Sequence, residues 1–276
     1  MVAYRAVLDV PRQLVAYLAG LLADERRARG TRAGTRALSC WKQAIFALVW
    51  FRERRPIPVI GRGLGISPAT AYRYLTEAVN VLAAQAPDLH QALQRVADDG
   101  WSHVVLDGKV VGSDRLAETT TSHTGKTIDA WYAGKIRGFG GNVQALMRPD
   151  GLPIWVSAVA PGCTHDLTAA RADTLGALYW AASQLHLPTL ADGGYHGAGI
   201  GVHTPTKTPP QGRLEPDTQT RNLLLRSLRC LGERGFALLT QRWRILQHIT
   251  VSPRRIGRIA QAALVLTHVE HGYLNA

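Results

Sequence analysis

Ser102-His103-Val104-Val105-Leu106-Asp107 is the stretch on which the reading of the chain turns. Before it, apolar residues recur at helical spacing; after Asp98-Asp99-Gly100 they run together or alternate, as strands do. Residues 102–106 read as a buried central strand that ends in Asp107, a carboxylate at the carboxyl end. Residues 142–148 and 152–160 flank Pro149-Asp150-Gly151, a hairpin signal, and give two more strands, antiparallel. Asp166 can cap a helix running through Ala169, Ala170, Leu175, Ala177 and Leu178, and Pro188-Thr189-Leu190-Ala191 then leads into Asp192 as a short buried strand. Residues 193–212 are rich in Pro and Gly and read as loop with one brief strand near 200–203. A long helix follows over about 218–249, and Ser252-Pro253 opens a last amphipathic helix carrying Ile256, Ile259, Ala260, Ala263, Leu264 and Leu266. This half of the chain is α/β.

Upstream, 9–29 reads as a helix, followed by a basic loop, Gly30-Thr31-Arg32-Ala33-Gly34-Thr35-Arg36, whose arginines can touch phosphate or simply face solvent. Helical spacing over 40–51, a short element over 57–64, the turn Gly65-Ile66-Ser67-Pro68 and a helix over 69–84 follow. Ser67 is placed to accept from an orphan N–H, and Pro68 suits the first helical position. Ala71, Leu75, Ala78 and Leu82 form an inner stripe, with Thr70, Arg73 and Glu77 outward. A plain three-helix bundle would share this periodicity, but the turn and the basic surroundings favour a helix-turn-helix whose last helix enters a DNA groove. The expected organisation is therefore a helical region over 1–97, with the helix-turn-helix at about 38–84, and a catalytic domain over 98–276.

Among the 276 residues, 32 Lys and Arg face 20 Asp and Glu, a formal charge of +12, which favours a polyanionic partner. No apolar run reaches the roughly 18 residues of a membrane span, and the start of the chain has no apolar signal core, so a cytoplasmic location is expected. Three scattered cysteines form neither a disulfide framework nor a CxxC zinc site.

Asp107 and Asp192 each close a strand, and Glu233 projects from the long helix that would pack across the sheet. Carboxylates converging from separate elements suit two hard divalent cations, Mg²⁺ or Mn²⁺, which promote in-line phosphoryl transfer. A strand-end Asp also serves as a turn former, so spacing alone leaves both readings open. Lys109, Lys135 and Arg137 can grip phosphate or solvate the surface. Trp131 and Tyr132 are core residues or a platform for an unpaired base.

Five separated motifs occur in order: Asp107-Gly108; Tyr132-Ala133-Gly134-Lys135 with Gly141-Asn142-Val143-Gln144; Pro161-Gly162-Cys163-Thr164-His165-Asp166-Leu167-Thr168; Ala191-Asp192-Gly193-Gly194-Tyr195-His196-Gly197; and Glu233-Arg234-Gly235-Phe236. In these the chain resembles insertion-sequence transposases of the IS5 group, within the DDE superfamily of RNase H-like endonucleases. The resemblance implies an RNase H-like mixed five-stranded sheet with flanking helices, preceded by an all-α helix-turn-helix module. It also implies Asp107, Asp192 and Glu233 as the catalytic and metal-holding triad, double-stranded DNA as partner, both as terminal inverted repeats and as target, and a homo-oligomer of at least two protomers on DNA. The related signature Tyr-x2-Arg-x3-Glu-x6-Lys is met at Arg229 and Glu233, while Arg226 replaces its Tyr and Thr240 its Lys; Gly193 stands where Lys often follows the second Asp. Arg234, Arg242 and Arg244 are the nearby cations that can supply the missing phosphate contacts. Three functions compete: a transposase, a non-cutting or domesticated DNA-binding protein, and a nuclease that cuts without joining.

Overall fold

The computed structural model describes residues 7–122, 124–210 and 212–274; the Glu233 side chain also lies outside the described residues. Its first layer is helical. α1 (Arg12–Ala28) buries Leu14, Val15, Leu18 and Leu22. In α2 (Cys40–Glu53) the Ser39 hydroxyl accepts from the Lys42 amide, and Arg54 ends the helix in the left-handed region at φ 55°. α3 (Ile57–Gly63) and α4 (Pro68–Ala83) are joined by the short turn at which the helix-turn-helix is expected. Their turn passes through Gly65 at φ +69°, and the Ser67 hydroxyl accepts from Thr70 N at 3.3 Å, as the cap signal predicts. Gly61 permits their close approach, since a Cβ there would lie 2.9 Å from that of Ala71. Glu77 departs from expectation: it is buried, accepting from Gln43 Nε2 and Arg36 Nη2, each at 2.8 Å. The Arg36 loop folds over this part of α4 and supplies the charge that lets the carboxylate leave water. α5 (Leu89–Asp98), capped by Asp88, then leads into the sheet.

β1 (Val104–Ser113) is the central strand, and it runs six residues past Asp107, so this aspartate lies within the strand and not at its end. β2 (Thr119–Thr121) and β3 (Thr127–Asp129) form a separate small hairpin, and β4 (Tyr132–Ala133) turns into β5 (Gly138–Met147). β5 pairs antiparallel with β1 from Val105↔Met147 to Gly112↔Gly140, and β6 (Pro153–Pro161) pairs antiparallel with β5. Gly151, at φ +86°, closes the turn between them. The helix expected after Asp166 is two helices, α6 (Asp166–Asp173) and α7 (Leu175–Gln184), broken at Thr174, whose hydroxyl bonds the Asp173 carboxylate. Asp166 occupies the first helical position, and His165 is the flanking residue.

β7 (Thr189–Leu190) and β8 (Val202–His203) continue the sheet in parallel on the other edge of β1. The five principal strands thus run β6-β5-β1-β7-β8 as a mixed sheet. Two short strands extend it beyond the expected five among the described residues: β4, beside β5, and β9 (His248–Ile249), parallel to the far end of β1. α8 (Pro216–Thr240) is shorter than the expected 218–249. Gln247 Nε2 donates to the Thr240 carbonyl, and buried Trp243 donates to Thr267 Oγ1; both contacts fold the chain back after 240. Arg242 and Arg244 therefore lie beyond the helix.

Side chains alternate across the sheet. Val104, Leu106, Leu146 and Ile154 pack with α5 and α7, whereas Val105, Val111, Val143, Ala145 and Met147 face the opposite core. That core includes α9 (Ile256–Glu270), which is buried on nearly every side, not merely along one face as an amphipathic helix would be. It lies between α4 and β6, so both its faces must be apolar. Gly257 lets it ride on the strand: a Cβ there would be 2.7 Å from Val159 N. One continuous core thus joins the helix-turn-helix layer to the sheet. Among the described residues no helix is long and apolar enough to cross a membrane.

Candidate active site in the gap beside the central strand

The edge of β1 opposite β5 is paired only at its two ends. β7 takes Val104 and Val105, β9 takes Gly112 and Ser113, and among the described residues no strand covers the stretch between. Asp107 opens into this gap. Its side chain shares the face of Val105, against which Gly232 of α8 packs so closely that a Cβ would approach to 2.7 Å. Val105 pairs with Leu190 in parallel register, and Asp107 and Asp192 each lie two residues further on. Neighbouring strands lie about 4.8 Å apart, and Asp192, just past the end of β7, stays close enough for its charge to act on Asp107.

The electrostatics agree with that register. Asp107 is pushed up to about 6, first by burial and then by the charge of Asp192; the Gly108 amide, Lys135 and Arg229 oppose the rise. Each carboxylate accepts a backbone N–H, Asp107 from Gly108 at 2.9 Å and Asp192 from Gly194 at 2.7 Å. Among the described residues neither is ion-paired with a Lys or Arg. Two close acids that lack a protein cation, one of them largely desolvated, fit a divalent ion. No three described His, Cys, Asp or Glu side chains converge as a complete metal cage, and position 233 on α8, one residue beyond Gly232, is the third acid outside the described set.

The surrounding cations divide into several groups. Lys135 Nζ donates to the Gly108 carbonyl at 3.2 Å and lies 3.3 Å from Asp166 Oδ2, which places it beside Asp107. Lys109, two residues beyond Asp107 on the same face, lies 5.5 Å from the Phe236 ring centroid and donates to Thr240 Oγ1 at 3.4 Å. Burial lowers its pKa, with Asp107 opposing. Arg229 is half-buried, its Nε has no partner, and it lines a cleft of about 320 Å³ with Gly193, Thr206, Lys207 and Arg226. Arg137 is exposed in the β4–β5 turn, Arg234 is exposed on α8 beside Gly151, and Arg244 is exposed after the helix. Arg242 is drawn away from the site: its Nε donates to Glu270 at 2.9 Å and its Nη1 to Asp9 at 2.8 Å.

Thr70 and Arg73 lie far along the chain on α4, joined by a 3.2 Å hydrogen bond, with Arg73 exposed. A cleft of about 540 Å³ beside Arg73 is lined also by Arg29, Arg36, Tyr72, Thr76 and Arg255. Trp131 is buried and donates to Glu118, which leaves only Tyr132 of that pair exposed.

Buried polar residues beneath the site escaped the sequence reading. Tyr195 Oη donates to Gln144 Oε1 at 2.5 Å, Gln144 Nε2 to Asn142 Oδ1 at 3.0 Å, and Asn142 Nδ2 to Asp166 Oδ1 at 2.7 Å. Burial, then the charges of Asp166, Asp107 and Asp192, raise the Tyr195 pKa and keep its proton in place as a donor. The available signal was Asn142 and Gln144, two amides at alternate positions of a strand that is otherwise apolar.

A mixed sheet with helices on both faces, carrying two close acids in the gap beside its central strand, defines an α/β protein. The model of the DDE superfamily endonuclease family matches residues 116–268, more than half of the chain, and the chain belongs to that family. The matched segment includes Asp166, Asp192 and position 233, while Asp107 and the helix-turn-helix precede it. No curated protein and no solved structure matches.

Proposed function

We propose that the protein is a DNA transposase of the IS5 group, with an RNase H-like catalytic domain over 98–276 and a DNA-binding helical region over 1–97. It binds the inverted repeats of an insertion sequence through α4, cleaves DNA at the ends of the element and joins those ends to target DNA. The observation that carries this reading is the matched register of Asp107 and Asp192, each two residues past the paired Val105 and Leu190, under a helix that bears Glu233.

Asp107, Asp192 and Glu233 would hold Mg²⁺ or Mn²⁺, two ions when loaded, which supply activation of an attacking water or 3′-hydroxyl and charge for the leaving oxygen. The chain's own residues do the rest. Asp107 must be ionised to take part, and because burial raises it to about 6 in the metal-free protein, ion binding below that pH must displace its proton. Lys109, Lys135 and Arg229 neutralise the approaching phosphate, and Arg137, Arg234 and Arg244 extend that basic surface. Thr70 and Arg73 face base edges, and a second protomer pairs the two ends of the element.

The test is to incubate the protein, in Mg²⁺, with supercoiled plasmid carrying the DNA that flanks its coding sequence. Excision with joining supports the transposase, breaks without joining indicate a nuclease, and binding without cutting indicates a DNA-binding derivative. Asp107→Ala, Asp192→Ala and Glu233→Ala are each expected to abolish cleavage and leave end binding intact.

A further inference from the structure

The paired acids are supported unequally. Asp107 is fixed in a strand that is hydrogen-bonded to β5 along nearly its whole length, whereas Asp192 opens the 3₁₀ turn Gly193–Tyr195 at the end of a two-residue strand. What holds that turn lies on the opposite side of the sheet. Tyr195, three residues after Asp192 and fully buried, reaches under the sheet to Gln144, which is opposite Gly108 in the β1–β5 register. From Gln144 the chain of hydrogen bonds continues through Asn142, which also donates to the Thr164 carbonyl at 3.0 Å, and ends on the Asp166 carboxylate. Lys135 closes it by bonding both Asp166 and the Gly108 carbonyl, next in sequence to Asp107.

We propose that Tyr195, Gln144, Asn142 and Asp166 are positioning residues, a buried strut that fixes the turn of Asp192 against the strand of Asp107 and so sets the separation of the two carboxylates. Three features support the assignment. Every link has one direction, phenol to amide oxygen, amide nitrogen to amide oxygen, and amide nitrogen to carboxylate, so rotation of Gln144 or Asn142 breaks at least two bonds. The middle members are nearly inaccessible, Asn142 at 2% and Gln144 at 1% exposure, and polar groups are held there only when satisfied. The strut also accounts for the glycine after Asp107: a Cβ at 108 would lie 2.5 Å from Asp166 Oδ1 and 2.8 Å from Gln144 Nε2.

The inference rests on the reading of Asp107 and Asp192 as ligands of a divalent ion, and binding of Mn²⁺ to the full-length protein without DNA tests it by electron paramagnetic resonance. Tyr195→Phe and Asp166→Ala are expected to weaken Mn²⁺ binding by about tenfold or more, the usual cost of losing support behind a metal ligand. They should raise the Mn²⁺ concentration needed for half-maximal cleavage and change the saturated rate less. Tyr179→Phe is the control, because the Tyr179 hydroxyl donates to Ala198 of the same loop but lies outside the strut. It should lower thermal stability and leave Mn²⁺ affinity unchanged. Mn²⁺ affinity within twofold of wild type in both strut variants, with lost stability only, would overturn the proposal. If Tyr195→Phe does not fold, Asp166→Ala, at the partly exposed end of the strut, carries the test. Wild-type Mn²⁺ affinity in Asp107→Ala would overturn the reading of the acid pair itself, an outcome distinct from failure of the strut.

Discussion

Thr240→Lys restores the residue that the transposase signature places seven positions after Glu233, and from sequence alone it should help hold a DNA strand. The surroundings of Thr240 argue the reverse. Its side chain is 7% exposed, its hydroxyl donates to the Phe236 carbonyl at 2.8 Å, and it accepts from the Lys109 ammonium at 3.4 Å. The cation absent from α8 is thus supplied from β1. A second ammonium within about 4 Å of the first repels it by about 4 kcal/mol at an effective dielectric of 20, and by about half that if both stems swing out to twice the distance. Crowding a longer side chain into a packed position adds about 1–3 kcal/mol. The expected result is a loss of stability of about 3–7 kcal/mol with no gain in strand transfer. Urea unfolding and plasmid cleavage at one salt concentration measure both. Lys109→Met should relieve the repulsion, so the double variant is expected to be more stable than Thr240→Lys alone and to recover DNA affinity relative to Lys109→Met. A several-fold gain in strand transfer from Thr240→Lys in the wild-type background, with no coupling to position 109, would refute the reasoning.

Asp107→Asn tests the acid pair through stability. A folded carboxyl held at about 6 instead of 3.8 retains a proton that the unfolded chain has released. Stability is therefore lost as pH rises through this window, by up to roughly 3 kcal/mol above it. In EDTA the Asn variant should melt higher than wild type at pH 8 and equally at pH 3.5; equal melting at both would show that Asp107 is not strained. Arg73→Ala should weaken binding to the element's ends more than binding to random DNA and leave the fold unchanged, whereas equal losses on both DNAs would remove α4 as the reading element. Arg36→Ala, which leaves Glu77 buried without its guanidinium, should cost about 1–3 kcal/mol in urea unfolding, where a solvated phosphate contact would cost almost none. Arg242→Ala should lower the urea midpoint and leave the salt dependence of DNA binding unchanged; a salt slope reduced by about one would return Arg242 to the DNA surface.

The elements set by local chemistry were legible in the sequence. Ser67-Pro68 starts α4 because its hydroxyl and its missing N–H act within one turn, and Pro149-Asp150-Gly151 closes the β5–β6 hairpin because Gly151 takes φ +86° without strain. The boundaries that failed depend on distant partners. Strand β1 passes Asp107 because β5 pairs with it as far as Gly112, and α8 stops at Thr240 because Trp243 and Gln247 are held by other elements. Glu77 and Arg242 look like solvent-facing charges on any local criterion, since their partners Arg36, Glu270 and Asp9 lie 41, 28 and 233 residues away. For the same reason the candidate acids were visible singly, as residues after apolar strands, while the strut behind them was not: its members come from β5, α6 and the turn after β7.

The placement of the acids follows from an asymmetry of the central strand. Open α/β sheets bind ligands outside the carboxyl ends of strands, where neighbouring connections leave a crevice. Here the central strand does not end at the crevice; its neighbour β7 does, and β9 resumes the pairing further on. A continuous β1 keeps Asp107 rigid through its ladder with β5, and the short β7 leaves room beside it for a ligand and for α8. The cost is that Asp192 leaves the sheet after Leu190 and must be held by other means. Its turn has one hydrogen bond from Gly194 to the carboxylate itself, which orients the side chain but fixes nothing relative to β1. Ala191 N donates to the His203 carbonyl of β8 at 2.9 Å on one side of Asp192, and on the other Tyr195 reaches β5, a strand bonded to β1. The gap that admits a ligand and the buried polar chain beneath it are therefore two consequences of one short strand.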